Sequence, residues 1–346
     1  MSGIPAVGKR GLHPFFRGML FVMVAVLFVQ NTAIAAITYF GSASNPADNG
    51  SLDVSPVVVT PPVGMQAGDL VILVANVREA GRTLTISATG GQAWTSETTN
   101  TTNTTQRIFW ARYNGTWSAN PSVANGGGGT NATTVVMHVF RPTASVNTWA
   151  IDVALTNSSF TAAAGGADKT ITGINVVTPG ALVLATWAST DNNTWGLQTA
   201  GWANAGGAQY RNQDGNDASQ SAAYKVMPTA GASGNVVNRQ LTAGTDAGNS
   251  AILAFREVPP VSVVSINCSV SCAATSAATV SWTVIFNQSV TGVDTTAFSI
   301  VASGLSGAFI ASVTGSGTTW TVTANTGIGA GTLGLDQTGP GSVSPT

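Results

Sequence analysis

The sequence predicts an all-β protein, and three observations predict it. Apolar residues alternate or run in short blocks rich in Val, Thr, Ile and aromatics, as in Leu70-Val71-Ile72-Leu73-Val74 and Leu182-Val183-Leu184-Ala185-Thr186-Trp187. Gly, Asn and Pro break these blocks, and glycine supplies 40 of the 346 residues. Almost no segment carries a helical period. Charged residues make up only 8% of the chain, against roughly 25% in an average soluble domain. An apolar content of 44% is enough to build cores, which excludes charge-driven disorder.

The first element is an export signal, residues 1–35. Lys9, Arg10 and Arg17 precede the apolar run Gly18 to Val29, and Ala33-Ile34-Ala35-Ala36 offers an A-x-A site with cleavage after Ala35. The alternative is a membrane anchor, but Gln30-Asn31 interrupts the run short of the ~20 residues that spanning needs. No twin-arginine pair is present, which favours the general secretory route. Met23 stands five residues after Gly18 where a type IV pilin leader has Glu, so the chain is not itself a pilin subunit. No later stretch is long enough to span a membrane. Removing the signal leaves ten basic and fourteen acidic side chains. That balance excludes a nucleic-acid footprint, which needs clustered Lys and Arg.

Residues 36–257 contain an internal repeat. Val58-Val59-Thr60-Pro61 is matched by Val176-Val177-Thr178-Pro179, and Gly68-Asp69-Leu70-Val71 by Gly180-Ala181-Leu182-Val183. Trp94 is matched by Trp202, Ile108-Phe109-Trp110 by Ala222-Ala223-Tyr224, and Val139-Phe140-Arg141 by Ala254-Phe255-Arg256. Two half-units follow, about 37–142 and 143–257, each with around five strands. A lone half would expose an apolar face and two long edges. Stacking the halves face to face gives one β-sandwich of jelly-roll type. Two independent sandwiches are the alternative; the short link Pro142 to Asn147 favours the single one.

Residues 258–260 hold the boundary. Pro259 and Pro260 cannot donate to a ladder and favour an extended connector. Beyond it, Val280, Trp282, Val284 and Phe286 alternate with Ser281, Thr283 and Ile285, a half-buried strand. Glycines at Thr314-Gly315-Ser316-Gly317 mark a hairpin. Trp320, Val322, Leu333 and Leu335 are inward candidates. Roughly seven short strands over 261–346 suit an immunoglobulin-like sandwich. The tail after Leu335, with Pro340 and Pro345, predicts no good last strand.

This last module resembles a bacterial Ig-like repeat of large surface proteins. The resemblance rests on Val280 to Phe286, Val290-Thr291-Gly292-Val293-Asp294 with Phe298, Ser312 to Thr323, and Gly331-Thr332-Leu333-Gly334-Leu335, and covers about 261–346. Such repeats occur in adhesin-like proteins and in MSHA-type (MshQ-like) pilus biogenesis proteins. The family continues into a last strand, so the resemblance implies a module lacking that strand, in the N-terminal part of a longer protein. Asn287-Gln288 stands where the family often has an acidic residue, which weakens a calcium site there. The first module is similar to a β-sandwich of bacterial surface and tail-fibre-like proteins, on Gly68-Asp69-Leu70-Val71, Trp94, Ala223-Tyr224-Lys225-Val226 and Ile252 to Arg256.

Candidate chemistry is sparse. Beyond residue 35 the one histidine is His138, inside an apolar strand, and a hydrolytic triad would need it beside a nucleophile and a carboxylate. A locally satisfied strand histidine is the expectation. No phosphate loop is present: Gly126 to Gly129 runs into Thr130 without a Lys. One His and two Cys do not make a zinc site, and no cofactor is implied. Asp214 and Asp217 read first as turn chemistry, with a weak calcium loop as the functional alternative. Cys268 and Cys272 would lie ~13 Å apart if extended, so a bridge needs a turn. An oxidising compartment favours that small-loop disulfide over free thiols. Of nine tryptophans, Trp94, Trp110, Trp187, Trp202, Trp282 and Trp320 fall at repeat or alternation positions and read as core. Trp117 and Trp195 sit in polar, turn-like surroundings and are the candidates for stacking a ligand. The function expected is an exported, non-catalytic surface or pilus-associated protein with adhesive or structural duty. Its partners would be surface glycans or pilus and cell-envelope proteins. The alternative is a carbohydrate-binding module of, or degenerate from, a secreted hydrolase.

Overall fold

The first half-unit forms β1 (Thr38–Asn45), β2 (Val57–Val58), β3 (Leu70–Val77), β4 (Thr85–Ile86), β5 (Thr95–Ser96), β6 (Thr105–Arg112), β7 (Ser122–Ala124) and β8 (Thr133–Arg141) in a computed structural model. The structure describes residues 36–346 except 88–90, 128–130, 163–166, 242–245, 270–274, 340–342 and 346. The expected export signal lies outside the described residues. No described helix is long and apolar enough to cross a membrane.

The main sheet runs β1-β8-β3-β6-β5, and a cover sheet runs β2-β7-β4. The unbroken apolar run of β3 makes it a strand with both faces covered, and every one of its residues is buried. Val71, Leu73, Ala75 and Val77 meet the cover through Val57, Val59, Leu84 and Val123. Leu70, Ile72 and Val74 point the other way.

The second half-unit repeats this plan. Its strands are β9 (Thr148–Phe160), β10 (Asp168–Ile171), β11 (Asn175–Val176), β12 (Leu182–Ser189), β13 (Trp195–Leu197), β14 (Ala203–Asn204), β15 (Tyr210–Asn212), β16 (Ala218–Val226), β17 (Gly231–Ala232), β18 (Val236–Gln240) and β19 (Gly248–Val258). The main sheet is β14-β16-β12-β19-β9 with β15 also on β16; the cover is β10-β18-β13, continued by the pair β11–β17. The register repeats with the sequence: Leu70 pairs with Phe140 as Leu182 pairs with Phe255, and Leu73 with Phe109 as Ala185 with Ala223.

Each repeat is therefore a two-sheet jelly roll in its own right. The sequence predicted about five strands per half and one shared sandwich. The additional strands are two to five residues long, too short to show a clear period. Between the repeats, the two main sheets pack face to face. Leu70, Ile72, Val74, Ile108 and Phe140 share one cluster with Leu182, Leu184, Leu253 and Phe255. Trp110 meets Phe255 edge-on at 5.4 Å, and Tyr39 stacks on Tyr224 at 5.4 Å. The result is four layers: cover, main sheet, main sheet, cover. Neither arrangement weighed from the sequence describes it alone, because two sandwiches share a third core.

The link between repeats is fastened on both sides. Arg112 donates to the carbonyls of Asn147 and Ser145, and the Glu257 carboxylate accepts from Thr143 and Asn147. Gly68 lies against the link with φ +102°, and a Cβ there would run into the Ser145 carbonyl. Its own carbonyl accepts the Trp149 indole N–H at 2.8 Å.

The last module contains β20 (Val263–Cys268), β21 (Thr279–Phe286), β22 (Val290–Thr291), a 3₁₀ turn (Thr295–Ala297), β23 (Phe298–Ser306), β24 (Phe309–Ser316), β25 (Thr319–Asn325), β26 (Ile328–Gln337) and β27 (Ser344–Pro345). One sheet runs β20-β21-β25-β24; β23 pairs with β26, and β22 with β27. The expected inward residues Trp282, Val284, Phe286 and Val322 are buried, and Trp320, Leu333 and Leu335 are half-buried. At the boundary, Asn287 and Gln288 donate to the carbonyls of Pro260 and Pro259. The tail after Leu335 is ordered into two short pieces. β26 runs on to Gln337, Val343 is buried in the core, and Ser344–Pro345 pairs with β22. A two-residue edge pairing tolerates Pro because one side of the strand needs no donor.

Candidate functional site

The structure scatters the residues singled out from the sequence. His138 lies on β8 between the two main sheets, 1% exposed. Burial pushes its imidazole down to about 3, partly opposed by a hydrogen bond to the Ala205 backbone. Nδ1 has no protein partner, and the Tyr210 ring lies edge-on at 6.3 Å. Around it the inner sheet faces turn polar toward one end. Gln220 donates to the Thr134 hydroxyl at 2.8 Å, and Asn249 donates to the carbonyls of Thr104 and Asn100. These bonds cross from one repeat to the other, so the polar end is a lock between jelly rolls.

Asp214 and Asp217 sit in the turn before β16. Asp214 Oδ1 accepts from the Asn216 N–H at 3.0 Å, and Asp217 Oδ1 from Gly215 at 3.2 Å. Asn216 in turn accepts from Arg78 of the first repeat. Each carboxylate thus closes its own turn, and Asp214 Oδ2 is buried without a partner. Among the described residues, no three His, Cys, Asp or Glu side chains gather as metal ligands.

The two tryptophans separate. Trp195 opens β13 and is 2% exposed, its indole donating to Ser219 at 3.1 Å. It packs against Phe160 and cannot offer a face to a ligand. The polar residues before it belong to the loop; the ring itself turns inward to fill the space under the cover. Trp117 is half-buried. It meets Tyr113 edge-on at 4.8 Å and Trp94 at 5.9 Å, and its indole donates to Gln92 at 3.3 Å. This cluster closes one end of the first jelly roll, beside exposed Asn114, Gly115 and Thr116. Trp94 stands at a repeat position and reads from the sequence as core; Tyr113 directly follows β6, and no sequence signal marks it.

A second group escaped the sequence entirely. Lys169 on β10 is 5% exposed, donating to the Thr161 carbonyl at 2.9 Å over the Phe160 ring. Burial holds its pKa below the usual lysine value, with Asp246 opposing. Asp246 is raised by its own burial and by Asp191, while it accepts from Asn193 at 3.0 Å. No sequence signal marks a buried lysine in Asp168-Lys169-Thr170. Cys268, at the end of β20, is disulfide-bonded; Cys272 lies outside the described residues.

No protein-family model matches the chain, and no curated protein or solved structure does either. The site must therefore be read from its own chemistry. The exposed groups are aromatic edges, amides and hydroxyls on loops, suited to non-covalent contact.

Proposed function

We propose that this protein is an exported, non-catalytic surface or pilus-associated protein that presents binding loops on a rigid double jelly roll. One observation carries the reading: the two repeats share a continuous core, so their loops are held by a scaffold that does not hinge. His138 is buried between the sheets with its imidazole held neutral, and the Asp214 and Asp217 carboxylates accept hydrogen bonds within their own turn. The proposed location is the periplasm, the cell surface or the medium. The proposed partners are surface glycans or envelope and pilus proteins.

The test has two arms. Purified protein should bind intact bacterial or host cell surfaces while showing no turnover in a glycoside-hydrolase screen. Turnover that disappears in Asp214→Asn or Asp217→Asn would overturn the reading. A second reading, a carbohydrate-binding module, is favoured by the Trp94–Tyr113–Trp117 cluster, whose rings stay partly exposed at a loop-rich end. Under it, Trp117→Ala abolishes retention on the bound glycan, whereas Trp195→Phe leaves it unchanged.

A further inference from the structure

We infer that water is a bound, structural ligand between the two repeats, held by Asn76, Thr104 and Gln106 of the first and Thr186 of the second. The inference goes beyond the proposed function and does not depend on what the loops bind. These four side chains are at most 2% exposed. Asn76 Oδ1, Thr104 Oγ1, Thr186 Oγ1 and both amide atoms of Gln106 are buried with no protein partner. Buried polar groups are nearly always hydrogen-bonded, because an unmade bond costs the full desolvation of the group.

Strand register brings these groups to one place. Thr134, Asn76 and Gln106 form a row across β8, β3 and β6. Gln220, Ala188 and Asn249 form a matching row across β16, β12 and β19. The rows face each other, because bonds between the repeats close both flanks. At one flank Gln220 donates to the Thr134 hydroxyl at 2.8 Å; at the other, Asn249 donates to the Thr104 carbonyl at 2.7 Å. The centre differs. There Asn76 faces Ala188, whose methyl carries no polar atom. The Asn76 amide N–H reaches past it to the Ser219 carbonyl at 3.4 Å, and its oxygen is left over. Gln106 stands beside Asn76 on the same face. Asn249, across from it, has both amide atoms engaged elsewhere. Thr186 shares the face of Ala188 on β12, two residues nearer the apolar core.

The same chemistry selects the ligand. Asn76 Oδ1 only accepts, Gln106 offers one acceptor and one donor group however its amide is turned, and the two hydroxyls do either. A bare cation would satisfy the oxygens and repel the Gln106 N–H groups. An anion would do the reverse. Water serves both kinds, and it is small, as a site walled by fully buried side chains requires. A buried water makes about three hydrogen bonds, so these atoms and one water–water bond provide for about two waters. The wet centre and the directly bonded flanks then form one continuous polar layer joining the repeats.

A crystal structure of the whole protein, at a resolution that orders solvent, tests this without a variant. The expected result is about two ordered waters, each within hydrogen-bond distance of at least two of the named atoms. Direct bonds among those atoms, with no solvent between them, overturn the inference. So does an anomalous peak at the site after thallium replaces potassium, which would make the ligand a monovalent cation. Oxygen-17 relaxation dispersion gives a second arm in solution, since it counts waters held longer than the molecule takes to tumble. Ala188→Asn sets at the centre an amide that supplies both a donor and an acceptor. The count should fall by about two relative to the unaltered protein. A folded Ala188→Asn protein with an unchanged count also overturns the inference.

Discussion

His138 shows how much one side chain can set. Its folded-state pKa is about 3, while an unfolded imidazole titrates near 6.5. Between those values the unfolded chain binds the additional proton. Stability contributed by keeping the ring neutral is therefore full above pH 6.5 and lost as pH falls toward 3. From pH 7 to pH 4 the loss is about 3 kcal/mol. Urea titrations of the protein and of His138→Gln should differ in pH slope by that amount; parallel slopes would exonerate the imidazole. The sequence placed this residue in an apolar strand but did not say what it faced. The Asp69–Arg141 pair makes the same point. Asp69 is buried and accepts Arg141 Nε at 3.1 Å, but the repeat has Ala181 in its place beside Arg256. The second repeat instead uses Asp152, which accepts from the N–H groups of Val177 and Thr178. Equivalent main-sheet strands thus keep different polar fasteners.

At the scale of elements, β3 and β12 were legible because strands buried on both faces read as unbroken apolar runs. The covers were not. β2, β4 and β7 hold two or three residues each, and only their place over Val71, Leu73 and Phe109 makes them strands. The polar bonds between main sheets were equally hidden. Asn249 on β19 is fully buried; its amide serves the carbonyls of Asn100 and Thr104, and its oxygen accepts from the Asn103 N–H. Asn249→Leu removes the partner of the Thr104 carbonyl and of the Asn103 N–H, while the Asn100 carbonyl keeps the Gln106 N–H. A loss of about 3 kcal/mol or more is expected in denaturant unfolding. A loss below about 1 kcal/mol would show that water replaces the amide freely.

For the whole molecule, the shared core sets the cooperative unit. A lone 37–142 fragment would bare Leu70, Ile72, Ile108 and Phe140, and a lone 143–257 fragment would bare Leu184, Leu253 and Phe255. Each cleared face costs roughly 1.5–3 kcal/mol per large side chain, comparable in sum to the entire stability of a domain. Calorimetry should therefore show residues 36–257 melting in one transition, and neither half alone as a folded monomer. Two separate transitions within 36–257 would mean that the repeats are independent. The last module has its own core, around Val284, Phe286, Phe298 and Val322, and should melt separately.

The sequence alone determined the all-β class and the duplication, because alternation and repetition are local properties of a chain. It also put Leu70, Leu182, Phe140 and Phe255 at equivalent positions. It could not determine what those side chains cover, since a strand's pattern shows that a face is buried and not against which partner. Only the tertiary structure decided that each repeat closes its own sandwich and that a third core joins them. The same packing turned the Trp195 ring inward while leaving the edge of Trp117 in solvent. Both rings follow polar turns; the space beneath each one made the difference.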